Sequence, residues 1–399
     1  MPHFCFVLSW PFEEKPGGVN EVVRNLIRQF HNRPELGLQP SAMELRWKGR
    51  PDDEPLPGVT RSYFRLHSPF VEEKPLLSVL SFLLYAPGEL WRLARFAKTK
   101  KIAAFNIHYP DLQNFGFVLA QVLGLFEGLV IISFHGTDIR TALGAKWFSK
   151  ALWRFMLRHA SAVVSCSDGL REEILMLEPR CRCVTIHNGI DIVLFESDAN
   201  PAFVMPARLQ GRRSIIHVGS FDFGKGQDII VKAFIRVAAK YPDVALLLIG
   251  RSGKMSAPLR EMIREAGLGE RAEILEDIPH SQIYNYFAQS SVFVFASRWR
   301  KGKMGEGFAI VILEAAVANL PIVATASCGV EEIIRNGETG LVVPLEDDVK
   351  LAEAITRVLD DPESAKERAE RLNEIVRASF TWAQAADRYI DLVKPAQGK

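Results

Sequence analysis

Two carboxylates eight residues apart carry the sharpest chemical signal in the chain. Glu306 and Glu314 enclose the apolar run Gly307-Phe308-Ala309-Ile310-Val311-Ile312-Leu313, and Asn319 and Pro321 follow before the next β-like run. Gly307 reads as the opening of a helix, with Glu306 at its mouth and Glu314 two turns inside. Eight residues at about 100° each return to within about 80° of the same face, so both carboxylates can address one ligand along its length. The amides of Gly307, Phe308, Ala309 and Ile310 would lie at the positive end of that helix and suit a phosphate. A plainer reading has Glu306 complementing the helix dipole and Glu314 solvated. It is disfavoured because an unpaired Glu314 between Phe308 and Val317 is costly to bury.

Other residues of chemical type sit where strand-like runs end. Lys225, between Gly224 and Gly226, follows the run Ser214–Val218 and reads as a phosphate loop, although Gly-Lys-Gly alone is equally an exposed turn. Gly17 and Gly18 follow the first strand-like run, where missing side chains let backbone amides approach an anion; alone they are a turn. His135, in Phe134-His135-Gly136-Thr137-Asp138, and His108, in Asn106-Ile107-His108-Tyr109, each close a strand-like run. The competing reading for each is a core or turn histidine.

Such residues need a scaffold, and short β-rich runs alternating with helical segments supply one: parallel sheets covered by helices. Phe4–Trp10, Ala104–His108, Leu129–His135, Ala162–Ser167 and Val184–His187 form a first set. Ser214–Val218, Ala245–Ile249, Ala272–Leu275, Val292–Ala296 and Ile322–Thr325 form a second. The expected organisation is a domain over 1–195, another over 196–378 and a final helix over 379–399 that packs back across the hinge. Ligands of such sheets bind beyond the carboxyl ends of strands, so a cleft between the two domains is expected.

Composition narrows the class. The chain has 399 residues, 48% hydrophobic and 24% charged, with a net charge of +2. That balance excludes a disordered or collagen-like chain and gives no reason to expect nucleic-acid binding. Five scattered cysteines with no CxxC pair argue against disulfide frameworks and closed zinc sites, and for a reducing, cytoplasmic setting.

Several segments together resemble the retaining, nucleotide-sugar-dependent glycosyltransferases of family 4. Glu306 and Glu314 match the family's E-x7-E motif, Val218-Gly219-Ser220-Phe221-Asp222-Phe223-Gly224-Lys225-Gly226 is similar to the segment opening its donor domain, and Asn188-Gly189-Ile190-Asp191 to the one closing its acceptor domain. Gly329 to Pro344 matches a downstream pattern. The resemblance implies a GT-B fold of two facing Rossmann-like domains, the first binding acceptor and the second the donor. It implies Glu314 on the donor ribose, Glu306 on hydroxyls of the transferred sugar, Lys225 on the departing diphosphate, and His135 beside the transferred sugar. His108 is a further acceptor-side candidate. The family carries Gly-Gly at Gly17-Gly18.

One position departs from the pattern. Ser220 stands where the family usually has an arginine that shares the diphosphate with the lysine, leaving Arg251, Arg298, Arg300, Lys301 and Lys303 as candidate substitutes. Ala309 replaces a common glycine. The expected reaction is retaining transfer through an oxocarbenium-like state, with no cofactor and no metal. The donor is a nucleotide-diphosphate sugar, UDP ahead of GDP, and the acceptor a glycan or lipid-linked molecule in polysaccharide or glycolipid synthesis. The alternatives are another GT-B enzyme, such as a sugar-nucleotide epimerase, and a non-catalytic sugar-nucleotide-binding subunit.

Two basic segments suggest a surface partner. Gly144–His159 reads as a helix with Lys146, Lys150, Arg154 and Arg158 at i, i+4 spacing among aromatics, and Glu89–Lys101 repeats the pattern. Peripheral contact with an anionic inner membrane face is expected. The alternative is a solvated basic face over a core of aromatics. The longest apolar stretch, Leu76–Tyr85, is expected to stop at Pro87, short of a membrane span.

Overall fold

Buried apolar runs form the centre of each of two parallel sheets in the computed structural model, which describes residues 1–10, 18–45, 58–327 and 329–394. The first sheet contains β1 (His3–Leu8), β2 (Gln39–Leu45), β3 (Arg61–Phe64), β4 (Ile102–His108), β5 (Leu129–Phe134), β6 (Ala162–Ser165) and β7 (Cys183–Thr185), in the order β3-β2-β1-β4-β5-β6-β7. The second contains β8 (Arg213–Val218), β9 (Val244–Gly250), β10 (Ala272–Glu276), β11 (Val292–Phe295), β12 (Ile322–Thr325) and β13 (Leu341–Val343), in the order β10-β9-β8-β11-β12-β13. Strand order reverses between β1 and β4 in one sheet and between β8 and β11 in the other. At such a switch point neighbouring loops part and leave a crevice for a ligand.

Helices cover both faces, so strands such as β9 are buried at every residue but the last, Gly250. Phe4 and Phe6 of β1 pack with Phe30 of the helix Gly18–Asn32, at ring separations of 4.7 and 5.5 Å. In the second unit Leu246, Leu248 and Val294 lie in one cluster with Phe234 of the helix Gln227–Lys240.

The chain divides into unit 1, Met1–Asn188 with the segment from Trp382 onward, and unit 2, Gly189–Thr381. The cut thus falls earlier than the expected 195/196. Ile190 donates its amide to Phe380 O at 2.9 Å, and Phe195 packs on Tyr284, tying residues after Asn188 to unit 2. The last helix, Trp382–Val393, belongs to unit 1: Arg33 Nη2 donates to Asp387 Oδ1 at 2.7 Å, and Tyr389 packs on Phe4.

Two helix expectations need correction. The helix Pro75–Thr99 continues for 25 residues straight through Pro87. The proline leaves the carbonyl of Leu83 without its donor, but Leu83 is exposed, so water can take that place. By length and composition alone this helix is long and apolar enough to cross a bilayer. Its second half nevertheless buries Ala86, Glu89, Leu90, Leu93 and Ala97 against unit 1. The basic helix expected over Gly144–His159 begins later, at Trp147, because Gly144 ends a separate helix, Thr137–Gly144. Its charges are drawn onto unit 1. Arg154 Nε donates to Leu177 O at 2.9 Å, Arg158 pairs with Glu178 at 2.7 Å, and Lys146 pairs with Glu72 at 3.4 Å.

Candidate active site

In unit 2, the loops after β8 and β11 meet at the switch point. Gly219 follows β8 and hydrogen-bonds back to Ile249 O. The chain then makes a short turn over Phe223–Lys225 and enters the helix Gln227–Lys240 through Gly226. Gly226 has φ +68°, and a Cβ there would stand 2.0 Å from Ala296 O, so only glycine lets this loop lie against the end of β11. Gln227 Nε2 donates to Ser220 O at 2.8 Å and holds the loop from inside.

This packing brings Lys225 to Glu306. Lys225 Nζ donates to Glu306 Oε1 at 2.6 Å, and Ser297 Oγ donates to the same oxygen at 2.8 Å. Burial pushes the Glu306 carboxyl up, but the charge and hydrogen bond of Lys225, the Ser297 bond and nearby His217 hold it below the ordinary value. Glu306 is therefore an ionised carboxylate at neutral pH.

His217 lies beneath this loop, fully buried in β8. Its Nδ1–H donates to Val294 O at 2.9 Å, and burial lowers its pKa to about 4, so the ring is neutral. Nε2 has no hydrogen-bond partner among the described residues, and a Cβ on Gly219 would stand 3.0 Å from it.

The helix carrying Glu314 starts later than expected, at Ile310 with Ala309 as its cap, and ends at Val317. Gly307 therefore does not open it. Gly307, Phe308 and Ala309 form a buried approach segment, anchored where Phe308 packs on Phe380, and Glu306 precedes the helix rather than sitting at its mouth. Of the four amides expected at the helix start, only that of Ile310 is in the helix. Glu314 is nearly buried, and His280 Nε2 lies 2.9 Å from its Oε1.

Arg298 does not replace the missing arginine at Ser220. Its guanidinium makes paired bonds to Asp228 at 2.9 and 2.7 Å, donates to Phe223 O, and lies 3.9 Å over the Phe223 ring. Arg300 leans to Glu346 at 3.6 Å. Arg251 is exposed and follows β9, where its carbonyl accepts the Phe221 amide and so borders the same loop.

In unit 1, His108 ends β4 and His135 follows β5. His108 Nδ1 lies 3.0 Å from His135 Nε2. Burial lowers His135 to about 4; burial and then His135 hold His108 well below the ordinary range. Asp138 accepts the amides of His135, Gly136 and Ile139 and fixes this turn, while burial raises its carboxyl to about 6. Gly18 is the first described residue of the helix Gly18–Asn32, and nothing among the described residues lies within 4 Å of a Cβ added to it; Gly17 lies outside the described residues.

The sequence reading missed Ser297, His217 and His280. Ser297 and His217 sit within or just after buried strands and look like ordinary core residues. His280 is identified only by its contact with Glu314.

Comparison with known proteins adds an independent line. Residues 205–377 match the family model for glycosyl transferases group 1, and residues 16–194 match that for glycosyltransferase family 4. A glycogen synthase from Mycobacterium tuberculosis is 27% identical over 277 residues, which are 67% of this chain and 63% of that protein. The match thus spans less than two thirds of that relative's length. A GDP-mannose-dependent alpha-(1-6)-phosphatidylinositol monomannoside mannosyltransferase from Mycolicibacterium smegmatis is 30% identical over 274 residues, 64% of this chain and 69% of the relative. The structure of a sucrose-phosphate synthase from Thermosynechococcus elongatus matches over 98% of both chains, with a TM-score of 0.71 and 22% identity. That likeness is one of fold, the two-domain α/β architecture called GT-B.

Proposed function

The chain belongs to the group 1 glycosyltransferases of family 4, and from that premise we propose that it moves a sugar from a nucleotide-diphosphate sugar to a glycan or lipid-linked acceptor. The observation that carries the reading is the meeting of Lys225, Ser297 and Glu306 at the switch point of the second sheet, with Glu314 on the adjoining helix.

Unit 2 would hold the donor. Lys225 is the cation for the leaving diphosphate, and Glu314 accepts hydroxyls of the ribose. Glu306, ionised and anchored by Ser297, accepts hydroxyls of the transferred sugar; an ionised carboxylate offers several acceptor sites to a polyol. As the glycosidic bond breaks, negative charge grows on the diphosphate, and a fixed ammonium stabilises that state more than the ground state. Transfer is retaining and needs no metal. The departing phosphate takes the acceptor's proton while the acceptor oxygen attacks on the same face, and no covalent bond forms to Glu306. Unit 1 would bind the acceptor, with His135 beside the transferred sugar.

Uridine is the first base to test. The mannosyltransferase relative is GDP-mannose-dependent, so guanosine belongs in the same screen. Incubation with UDP- and GDP-sugars and a range of glycan and lipid acceptors should release nucleoside diphosphate with formation of a glycoside. Tight donor binding without release would instead support a non-catalytic sugar-nucleotide-binding subunit. The observation favouring that second reading is Ser220 with Arg298 committed to Asp228.

The reading extends to an anionic membrane at the cytoplasmic face, through the helix that carries the second basic segment, Glu89–Lys101, as far as Thr99, rather than through the segment Gly144–His159. The first half of the helix Pro75–Thr99 turns Leu76, Leu77, Leu80, Leu83 and Leu84 to solvent, and Trp91 continues the row. Lys74, Arg92, Arg95 and Lys98 flank it, and Glu89, its one acid, is buried. Apolar side chains at i, i+3 and i+4 with a cationic border suit a bilayer carrying anionic headgroups.

A further inference from the structure

Unit 1 contains a row of buried polar side chains that the proposed chemistry leaves unused. Tyr389 Oη, on the last helix, lies 3.1 Å from Ser133 Oγ. Ser133 Oγ donates to Asn106 Oδ1 at 2.8 Å, Asn106 Nδ2 stands 2.9 Å from His108 Nε2, and His108 Nδ1 reaches His135 Nε2 at 3.0 Å. Parallel pairing of β4 with β5 sets His108 opposite Ser133, which is why the row closes without a gap. Asn106 and His108 are fully buried, and Ser133 and Tyr389 almost so.

The row has one self-consistent direction. A buried phenol must donate its hydrogen, and Tyr389 gives it to Ser133 or to Asn106, whose side chain it also hydrogen-bonds; either way the carboxamide oxygen of Asn106 faces the two hydroxyls as acceptor. Ser133 then has one hydrogen to give, which goes to Asn106 Oδ1. That bond turns the carboxamide so that Nδ2 points at His108, making His108 Nε2 an acceptor. The one proton of the neutral His108 ring is then on Nδ1 and is donated to His135 Nε2. His135 must carry its own proton on Nδ1. Reversing every bond would leave the Tyr389 hydroxyl without an acceptor in the row. Burial keeps both imidazoles neutral at pH 7, so neither ring escapes the choice by taking a second proton.

We propose that Tyr389, acting through Ser133, Asn106 and His108, fixes His135 in its Nδ1–H tautomer, so that this ring meets the donor as a hydrogen-bond donor to a sugar or phosphate oxygen. Tyr389 and Asn106 are positioning residues in this scheme. It deepens the reading above, since it takes from it that His135 faces the transferred sugar. A hydroxyl bound this way accepts from His135 and keeps its own hydrogen for another partner. Replacing that hydroxyl by fluorine, which accepts weakly and cannot donate, should be tolerated better than deleting it.

The test separates the relay from the reading beneath it. In full-length protein carrying 15N-histidine, long-range 1H–15N correlation at pH 7.5 should show His135 protonated at Nδ1 and bare at Nε2, without any substrate. The opposite tautomer overturns the proposal. Asn106→Asp replaces the amide donor by an acceptor, which draws the His108 proton to Nε2 and should invert both rings. An uninverted His135 in that folded variant overturns the relay; if the variant does not fold, the wild-type spectrum decides alone. With inversion, kcat/KM should fall at least about tenfold while the affinity for free nucleoside diphosphate stays as in the wild type. Inversion with unaltered turnover overturns the placement of His135 at the sugar and leaves the relay intact.

Discussion

Lys225 and Glu306 form an ion pair at 2.6 Å. The cation assigned to the diphosphate and the carboxylate assigned to the sugar therefore restrain one another. A donor must supply a better partner for each: its phosphates for Lys225, its hydroxyls for Glu306. On the proposed reading, the Ser297 hydrogen bond would keep Glu306 in place during this exchange.

Lys225→Ala should abolish most transfer and leave the fold intact. Loss of one electrostatic stabiliser is worth roughly two to three orders of magnitude in turnover. Initial rates at saturating donor, with circular dichroism as the control for folding, measure this. Wild-type turnover in the variant would end the assignment.

Glu314→Ala should weaken nucleotide binding before it affects chemistry. A charged hydrogen bond is worth about 1.5–3 kcal/mol, so the Kd for UDP or GDP should rise roughly ten- to a hundredfold. Calorimetric titration reads this directly. Unchanged affinity would remove Glu314 from the ribose.

Arg298→Ala is expected to act on stability. Its guanidinium is almost buried and bonded twice to Asp228. Breaking such a pair strands the partner and costs about 3–5 kcal/mol. The thermal midpoint should drop by several degrees while the rate per folded molecule changes little. A rate loss without loss of stability would restore Arg298 as a diphosphate clamp.

Acid should destabilise the protein from just below neutrality. His217 and His135 are lowered to about 4, and His108 well below 6.5, all mainly by burial. Between pH 6.5 and 4 the unfolded chain binds protons that the folded chain refuses, so stability falls as pH falls. Asp138, raised to about 6, acts in the opposite sense over roughly the same range, because the folded state takes up a proton first. Three histidines outweigh one such aspartate, so the midpoint should be lower at pH 5 than at pH 7.5. His217→Gln should flatten that slope, and an unchanged slope would contradict the burial of a neutral ring.

Leu80→Glu with Leu84→Glu should prevent sedimentation with anionic vesicles at low salt. The wild type should sediment with phosphatidylglycerol vesicles and less with phosphatidylcholine alone. Both leucines are well exposed, so the fold should tolerate the change. Wild-type protein that ignores vesicles but dimerises with rising concentration would assign the ridge to a second copy.

All ten strand-like runs read in the sequence are strands, because each is a short apolar stretch bounded by turn residues. β2, β3 and β13 escaped. β2 contains Pro40 and Glu44, which mark a run as polar; Pro40 precedes the stretch paired with β3, and Glu44 is buried against Arg61 at 3.4 Å. Such a pair is recognisable only once the two strands lie side by side. The same holds at the site. Glu306, Glu314 and Lys225 were legible as types at telling positions, but the helix start at Ile310 depends on the packing of Phe308 on Phe380. The commitment of Arg298 to Asp228 depends on bringing together segments 70 residues apart.

The last helix gives the two units different schedules of assembly. Unit 2 is one uninterrupted stretch, whereas unit 1 receives Asp387 and Tyr389 only after Thr381 has been passed. During synthesis, which delivers residues at about 5–20 per second, unit 2 has its full set of strands before unit 1 is closed. The half of the protein that begins first is completed last. Until then the nascent chain has β1 and β5 without the helix that seals them, a window in which a chaperone has most to protect.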